Sequence, residues 1–307
     1  MPEAGPSEAL HVRAPAKINL FLEVLGKRPD GYHEIRTIMQ AVSLYDELEF
    51  RLRPDGRVVL RADGEGLPPP EENLVVRAAH LLKEHAGCEL GADIYLRKAI
   101  PAGGGLGGGS SDCAATLRAL SRLWNLHLAP EQLMELGARL GSDVPFFVRG
   151  GTALCEGRGE RVRALPVGGA FHYVLLMPGL SVDTGRAYAA LGRALTKPRG
   201  GIRIEAVESA LEAGDVEHLS GCLYNSLQVA AFLVAPELGR LWRTLEPACR
   251  KAGCLALMVS GSGSTICGAT AGPQCALHVA QELSAQLRLR AEAVHSLASV
   301  SAQELAL

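Results

Sequence analysis

The chain has 307 residues, 48% of them hydrophobic, with 31 basic against 33 acidic side chains and a formal net charge of −2. That length holds one large core or two ordinary domains, and the near-neutral balance excludes an overall field drawing the chain to nucleic acid or an anionic membrane, so an anionic ligand has to be held locally. The opening MPEAGPSEAL lacks a basic n-region and an apolar h-region, and nowhere do about 18 uncharged apolar residues run together, which predicts a cytoplasmic protein with no membrane span.

In chain order, the first clear element is 17–24, where Ile18, Leu20, Leu22 and Val24 alternate with Lys17, Asn19, Phe21 and Glu23. This predicts a half-buried strand presenting Lys17 and Asn19 side by side. The turn-rich 62–73 ends at Asn73, placed to cap a helix carrying Leu74, Ala78, Leu81 and Leu82. Residues 92–100 alternate as a second strand and run into PAGGGLGGGSSD (101–112), after which Cys113, Leu117, Leu120 and Trp124 recur at helical spacing. Ser110 or Ser111 is the expected N-cap of that helix, with Asp112 in its first turn, where the helix dipole favours a carboxylate. A further helix over 131–140 ends at Gly141, a candidate left-handed terminator, and delivers Ser142-Asp143-Val144-Pro145 to a loop.

Periodicity lapses around 160–170, suggesting a domain boundary. A strand follows over 172–177, then a helix near 185–195 capped by Thr184, an exposed insert at 196–205, and a hairpin-like pair, 255–259 and 264–268, flanking SGSG. A helix near 274–286 and a strand near 291–297 complete the second half. The eight cysteines lie scattered without a CxxC pair and the nine histidines form no HExxH or HxH cluster, so the thiols read as reduced apolar fillers.

The functional weight falls on the stretch between the second strand and its helix, where six of the seven residues 103–109 are glycine. Bare backbone lets successive N–H groups wrap an anion, and a helix N-terminus behind them adds partial positive charge, which suits phosphate. Gly104 and Gly109 have the spacing of a Walker A loop, but serine stands where the phosphate-reaching lysine belongs. Gly103, Gly105 and Gly108 match a dinucleotide fingerprint in form, yet no acidic residue ends a second strand about 20 residues on. A flexible linker is the plain alternative, although linkers are seldom wedged between an alternating strand and an amphipathic helix.

PAGGGLGGGSSD resembles the ATP-binding motif of the GHMP kinases, the superfamily that includes galactokinase, homoserine kinase and mevalonate kinase. PAKINLFL (15–22), RPDGYHEIRTIMQAVSLYDEL (28–48), GSDVPFF (141–147) and SGSGST (260–265) resemble, in order and spacing, a branch of that superfamily acting on a small alcohol that carries a cytidine diphosphate group. The resemblance covers nearly the whole chain. It implies an α+β, two-domain fold, with an N-terminal ATP-binding domain over 10–164, a smaller C-terminal α/β sandwich over 165–298, and the active site in the cleft between them.

The resemblance further implies that Pro101, Ala102, Gly103, Gly104, Gly105, Leu106, Gly107, Gly108, Gly109, Ser110 and Ser111 cradle the ATP phosphates. Asp143 is then the catalytic carboxylate with Lys17 beside it, and phosphoryl transfer does require an acceptor for the hydroxyl proton and charge stabilisation. Tyr32 and His33 are expected to bind the cytosine, one by stacking and one by hydrogen bonding, with Tyr188 as a second aromatic wall and Asn19 as a hydrogen-bond donor to substrate. Mg²⁺ is expected with ATP, with Ser111 as its candidate ligand by superfamily analogy. SGSGST is expected to line the site as a second glycine turn. A monomer or homodimer with no nucleic-acid or membrane partner completes the expectation.

Two departures from the branch pattern stand out. Asp112-Cys113-Ala114 replaces Asp-Ala-Ala, and Asn225-Ser226-Leu227-Gln228 replaces Asn-Asp-Leu-Glu with both acids lost. Three other readings remain at this stage: a relative acting on homoserine or mevalonate, a dinucleotide-binding oxidoreductase, and a non-catalytic ATP-binding scaffold, against which the retention of Lys17 and Asp143 argues.

Overall fold

The alternation seen at 17–24 belongs to a much longer strand, β1 (Leu10–Lys27), which pairs antiparallel with an even longer β2 (His33–Arg53). The computed structural model describes residues 9–64, 66–191 and 203–298; most of the insert expected at 196–205 lies outside them. The chain continues through β3 (Val58–Asp63), α1 (Leu74–Ala86), β4 (Gly91–Arg97), α2 (Gly108–Leu123), α3 (Pro130–Leu140), α4 (Val144–Arg149), β5 (Thr152–Gly157) and β6 (Arg161–Ala164). Asn73 caps α1 as expected, its side-chain oxygen accepting from the Val75 N–H.

β2 is long enough to serve three neighbours. Its first stretch, from Ile35 to Gln40, pairs with β5, and its last, from Glu47 to Arg53, pairs with β4. With β1 alongside, the described sheet runs β3-β4-β2-β1, and β5 and β6 branch from β2. Helices α1–α4 cover one face through a core that includes Phe50, Leu82, Leu117, Leu120 and Phe146. β4 lies antiparallel to β2, and β5, the next strand after the glycine loop, is also antiparallel to β2. This is not the parallel βαβ unit that a dinucleotide fingerprint requires.

The second half comprises β7 (His172–Met177), α5 (Thr184–Leu191), α6 (Ile204–Ala213), α7 (Val216–Cys222), β8 (Tyr224–Asn225), α8 (Leu227–Val234), α9 (Pro236–Ala252), β9 (Cys254–Val259), β10 (Ile266–Thr270), α10 (Pro273–Leu287) and β11 (Arg290–His295). Its antiparallel sheet runs β11-β7-β10-β9. β8 crosses back to pair with β1 at Phe21 and Leu22. A third core joins the halves, with Ile18, Leu20, Phe21 and Ile38 of the first sheet against Tyr173, Leu175 and Cys267 of the second.

Several local expectations need correcting. The strand at 17–24 is not half-buried: Lys17, Asn19 and Phe21 are as buried as their apolar neighbours, because the second half covers the Ile18 and Leu20 face, a register shift between Asn19 and Phe21 brings Phe21 into that same core, and Lys17 and Asn19 are closed in by the glycine loop and Thr37. The N-cap of α2 is Gly107, at φ 73°, so Ser110, Ser111 and Asp112 lie inside the helix, and a left-handed glycine does what a serine cap was expected to do. Gly141 ends α3 in extended rather than left-handed backbone. Asp183, not Thr184, caps α5, its carboxylate accepting from the Arg186 N–H at 2.8 Å, while Thr184 is the first helical residue. The aperiodic 160–170 contains the short strand β6.

Candidate active site

Lys17 stands on β1 at the deep end of a cavity of about 460 Å³, whose walls include Asn19, His33, Asp143, Tyr188 and Gly261. Its ammonium is 4% exposed as a residue and is held by three oxygens: Asn19 Oδ1 at 2.7 Å, the Gly105 carbonyl at 3.0 Å and Asp143 Oδ2 at 3.7 Å. Burial pulls its pKa below the ordinary lysine value, and the Asp143 carboxylate works in the opposite direction. Asp143 occupies the N-cap position of α4, yet its side chain makes no capping bond; the carboxylate faces Lys17 and the cavity instead.

Asn19 has less freedom than the strand pattern suggests. Its oxygen accepts a hydrogen bond from the Lys17 ammonium and its amide donates to Thr37 Oγ1 at 2.9 Å, whose hydroxyl in turn donates to the Phe21 carbonyl at 2.6 Å. Asn19 is therefore an orienting partner of Lys17 as well as part of the cavity wall.

The glycine loop is the wall between this cavity and a second one of about 330 Å³, lined by residues such as Leu67, Asn73, Lys98 and Ser110. Gly103, Gly105 and Gly107 border both spaces. Pro101, Ala102, Gly104, Gly108, Gly109 and Ser110 line the second cavity, whereas Leu106 turns into the core shared by the two sheets. Two positions demand glycine on close approach. A Cβ on Gly105, at φ +78°, would enter the Ser260 carbonyl, and one on Gly107, at φ +73°, would meet the Phe147 ring at 2.9 Å. The SGSG turn is stitched to the loop, with the Thr265 N–H donating to the Gly104 carbonyl at 3.1 Å and Ser260 Oγ to the Gly105 carbonyl at 3.0 Å.

Ser111 lies under the loop, 1% exposed, and its hydroxyl is buried without a hydrogen-bond partner. An orphaned hydroxyl in the second turn of a helix that opens onto a glycine cradle fits a bound phosphate oxygen or a cation associated with one. Asp112 also borders the second cavity, its Oδ1 buried without a partner and its Oδ2 engaged. It shares Lys98 with Asp46, the Lys98 ammonium donating to Asp112 Oδ2 at 2.7 Å and to Asp46 Oδ2, while Asp46 Oδ1 accepts the Ala99 and Ile100 N–H groups. This buried ion triad ties the strand entering the loop to the helix leaving it. Alternation and helical spacing gave no hint of it.

At the other end of the cavity His33 and Tyr188 come together, their rings stacked with centroids 4.8 Å apart. Burial, then Lys27, lowers the His33 pKa, and burial, then Asp143, raises that of Tyr188, so the surroundings disfavour the charged form of both rings. Tyr32 is half exposed, with the Arg158 guanidinium over its ring at 4.7 Å. Tyr32 and Tyr188 thus do not face each other as two bare walls. Sequence reading missed Arg158, which sits in the aperiodic GRGE run, and missed the work of Asn225. The Asn225 amide donates to the Val259 and Gly261 carbonyls, both at 2.7 Å, while Gln228 Oε1 accepts the Val259 N–H at 2.9 Å. Asn225, which keeps the branch residue, and Gln228, which stands in place of its glutamate, therefore hold the SGSG turn, and a neutral amide suffices for that.

Residues 73–151 match the model of the GHMP kinases N terminal domain. A 4-diphosphocytidyl-2-C-methyl-D-erythritol kinase of Pelotomaculum thermopropionicum is 45% identical over 267 residues, 87% of this chain and 91% of that protein. The chain belongs to the 4-diphosphocytidyl-2-C-methyl-D-erythritol kinase family. A member of that family from Prochlorococcus marinus is 43% identical over 94% of this chain and 90% of its own length. A crystal structure of a 4-(cytidine 5′-diphospho)-2C-methyl-D-erythritol kinase superposes with a TM-score of 0.78 at 36% identity, covering 94% of this chain and 99% of that one. A homoserine kinase from Cytophaga hutchinsonii, at TM-score 0.73 and 21% identity over 97% of this chain and 98% of its own, shares the fold alone. As a member of this kinase family the protein is a small-molecule phosphotransferase with an alcohol acceptor, and ATP is its donor. Among the described residues no helix is long and apolar enough to cross a membrane.

Proposed function

We propose that the protein transfers the γ-phosphoryl group of ATP to the 2-hydroxyl of 4-diphosphocytidyl-2-C-methyl-D-erythritol, releasing ADP, in the cytoplasmic non-mevalonate route to isopentenyl diphosphate. The observation that carries this reading is the pair of buried Lys17 and partly exposed Asp143 facing a cavity that shares Gly103, Gly105 and Gly107 with a separate glycine cradle. A donor phosphate held on one side of the loop and an acceptor hydroxyl on the other meet at that pair. On this reading the active site lies between an ATP-binding domain, 10–164, and a second domain, 165–298.

Asp143 accepts the proton of the attacking hydroxyl as the new O–P bond forms and the bond to the ADP oxygen breaks. A carboxylate is a weak base toward an alcohol, so this transfer helps mainly late, when the hydroxyl has become acidic. The Lys17 ammonium, 3.7 Å from the Asp143 carboxylate, stabilises charge on the transferring group. The loop N–H groups and the α2 N-terminus hold the donor phosphates. Mg²⁺ supplies neutralisation of the phosphate oxygens when bound, and the unpartnered Ser111 hydroxyl is the side chain suited to hold it. This metal takes few protein ligands and keeps several waters. Tyr32, His33 and Tyr188 receive the cytosine, whose entry requires the His33–Tyr188 stack to open.

Incubating the protein with Mg-ATP and the cytidylyl substrate, beside the Asp143→Ala variant, and weighing the product tests this directly. A 2-phosphorylated product that collapses in the variant is expected. No product from a folded, ATP-binding protein, or turnover of homoserine or mevalonate in its place, would sink the substrate assignment.

A further inference from the structure

We infer that Arg158 is the specificity residue for the diphosphate of the acceptor, reading that group between the nucleobase end and the transfer end of the cavity. The inference rests on the proposed substrate and deepens it.

The cavity has three basic side chains in its walls: Lys17, His33 and Arg158. Lys17 spends its ammonium on Asn19, Gly105 and Asp143, and the His33 ring is stacked on Tyr188 in surroundings that disfavour its charged form. An acceptor bearing a diphosphate brings two or more negative charges into this space, and burying them without a cation is costly. Arg158 supplies the cation. One of its guanidinium nitrogens reaches the Ala138 carbonyl at 3.3 Å, a neutral partner that leaves the charge uncompensated, and no carboxylate forms an ion pair with it among the described residues. Asp30 lies only within Coulombic reach.

Its position between two landmarks carries the argument. The guanidinium lies over the Tyr32 ring, at the end of the cavity assigned to the base. Its chain neighbour Gly159, at φ +118°, packs against the transfer end, where a Cβ would stand 3.6 Å from the Ser142 carbonyl and 3.7 Å from Asp143 Oδ1. In the acceptor molecule the diphosphate connects the nucleoside to the alcohol being phosphorylated. The side chain between base site and catalytic carboxylate is therefore the one the diphosphate has to pass. The backbone there is anchored, with the Arg158 N–H donating to Glu160 Oε2 at 2.6 Å, and a planar five-donor fork suits two adjacent phosphate groups.

The test measures inhibition by cytidine, cytidine 5′-monophosphate and cytidine 5′-diphosphate in the wild type and in Arg158→Ala and Arg158→Lys, with thermal unfolding to confirm that the variants fold. The wild type is expected to bind the diphosphate more tightly than cytidine. In Arg158→Ala that preference should shrink by about 10-fold or more, the loss expected for a charge-assisted contact, with cytidine binding within about 2-fold of wild type. Arg158→Lys should recover part of it. KM for the acceptor should rise in parallel while kcat falls less than about 3-fold. Equal loss for cytidine and its diphosphate, or tighter cytidine binding in Arg158→Ala, would overturn the inference and make Arg158 a partner of Tyr32 alone. A wild type that binds none of the three would instead remove the cytidylyl substrate, and the inference with it.

Discussion

Lys17 is a charge kept where burial works against it, and that conflict is measurable. Its pKa is lowered from the ordinary 10.5 chiefly by desolvation, so the alkaline limb of the kcat profile should fall below that value. Asp143→Asn, which removes the carboxylate favouring the ammonium, should move the limb lower still and cut kcat by about 10²–10⁴-fold. Stability responds with a definite sign. Between the folded and unfolded pKa values the unfolded chain binds more protons, so stability rises with pH through that window and is lowest where Lys17 is fully charged. Lys17→Met should abolish this rise in a denaturant titration series and lower kcat by about 10²–10³-fold or more. Residue types at this scale were readable in advance where Lys17, His33 and Asp143 fall in ordered motifs, while Tyr188 rested on a shorter match. What each touches was not, since Asn19 as a tether and Arg158 over Tyr32 depend on contacts between segments far apart in the chain.

Helices and strands with strong local signals fall where the sequence places them: α1 behind Asn73, β7 over His172–Met177, and the β9–β10 pair around SGSG. The misplacements share a cause. Glycine at 107 takes a left-handed N-cap that the following serines seemed better suited to fill, and Lys17, on the face of β1 that alternation marks as outward, is closed in by the Gly105 carbonyl 88 positions along the chain and by Asp143. The glycine loop and the SGSG turn behave as one element, since both the Lys17 ammonium and the Ser260 hydroxyl donate to the Gly105 carbonyl. Gly105→Ala forces a left-handed alanine against the Ser260 carbonyl. It should cost on the order of 2 kcal/mol or more in urea unfolding and depress kcat with either substrate saturating. Gly169→Ala, where nothing lies within 4 Å of the added methyl, is the matched control and should stay within about 0.5 kcal/mol of wild type.

At the scale of the whole molecule the halves are joined by buried polar bonds as well as by apolar packing. Tyr173 of the second sheet, fully buried, donates to Gln40 Oε1 of the first at 2.6 Å, and the Gln40 amide donates to Thr152 Oγ1 at 2.9 Å. Gln40→Leu leaves a buried phenol without its acceptor and should cost about 1–3 kcal/mol, whereas Gln40→Leu combined with Tyr173→Phe should recover part of that loss in a double-mutant cycle. No local pattern foretold this bond, since a glutamine in one strand and a tyrosine 133 positions later meet only after both sheets have formed. The shared core has a consequence for synthesis on the ribosome. When the first 164 residues have emerged, Ile18, Leu20, Phe21 and Ile38 have no covering layer until Tyr173, Leu175 and Cys267 follow. The nascent chain therefore carries an oily face through the translation of nearly half its length, a natural station for a holdase chaperone. A fragment stopped at residue 164 should be recovered in the insoluble fraction, and co-expression with the remainder of the chain should bring both pieces into solution together.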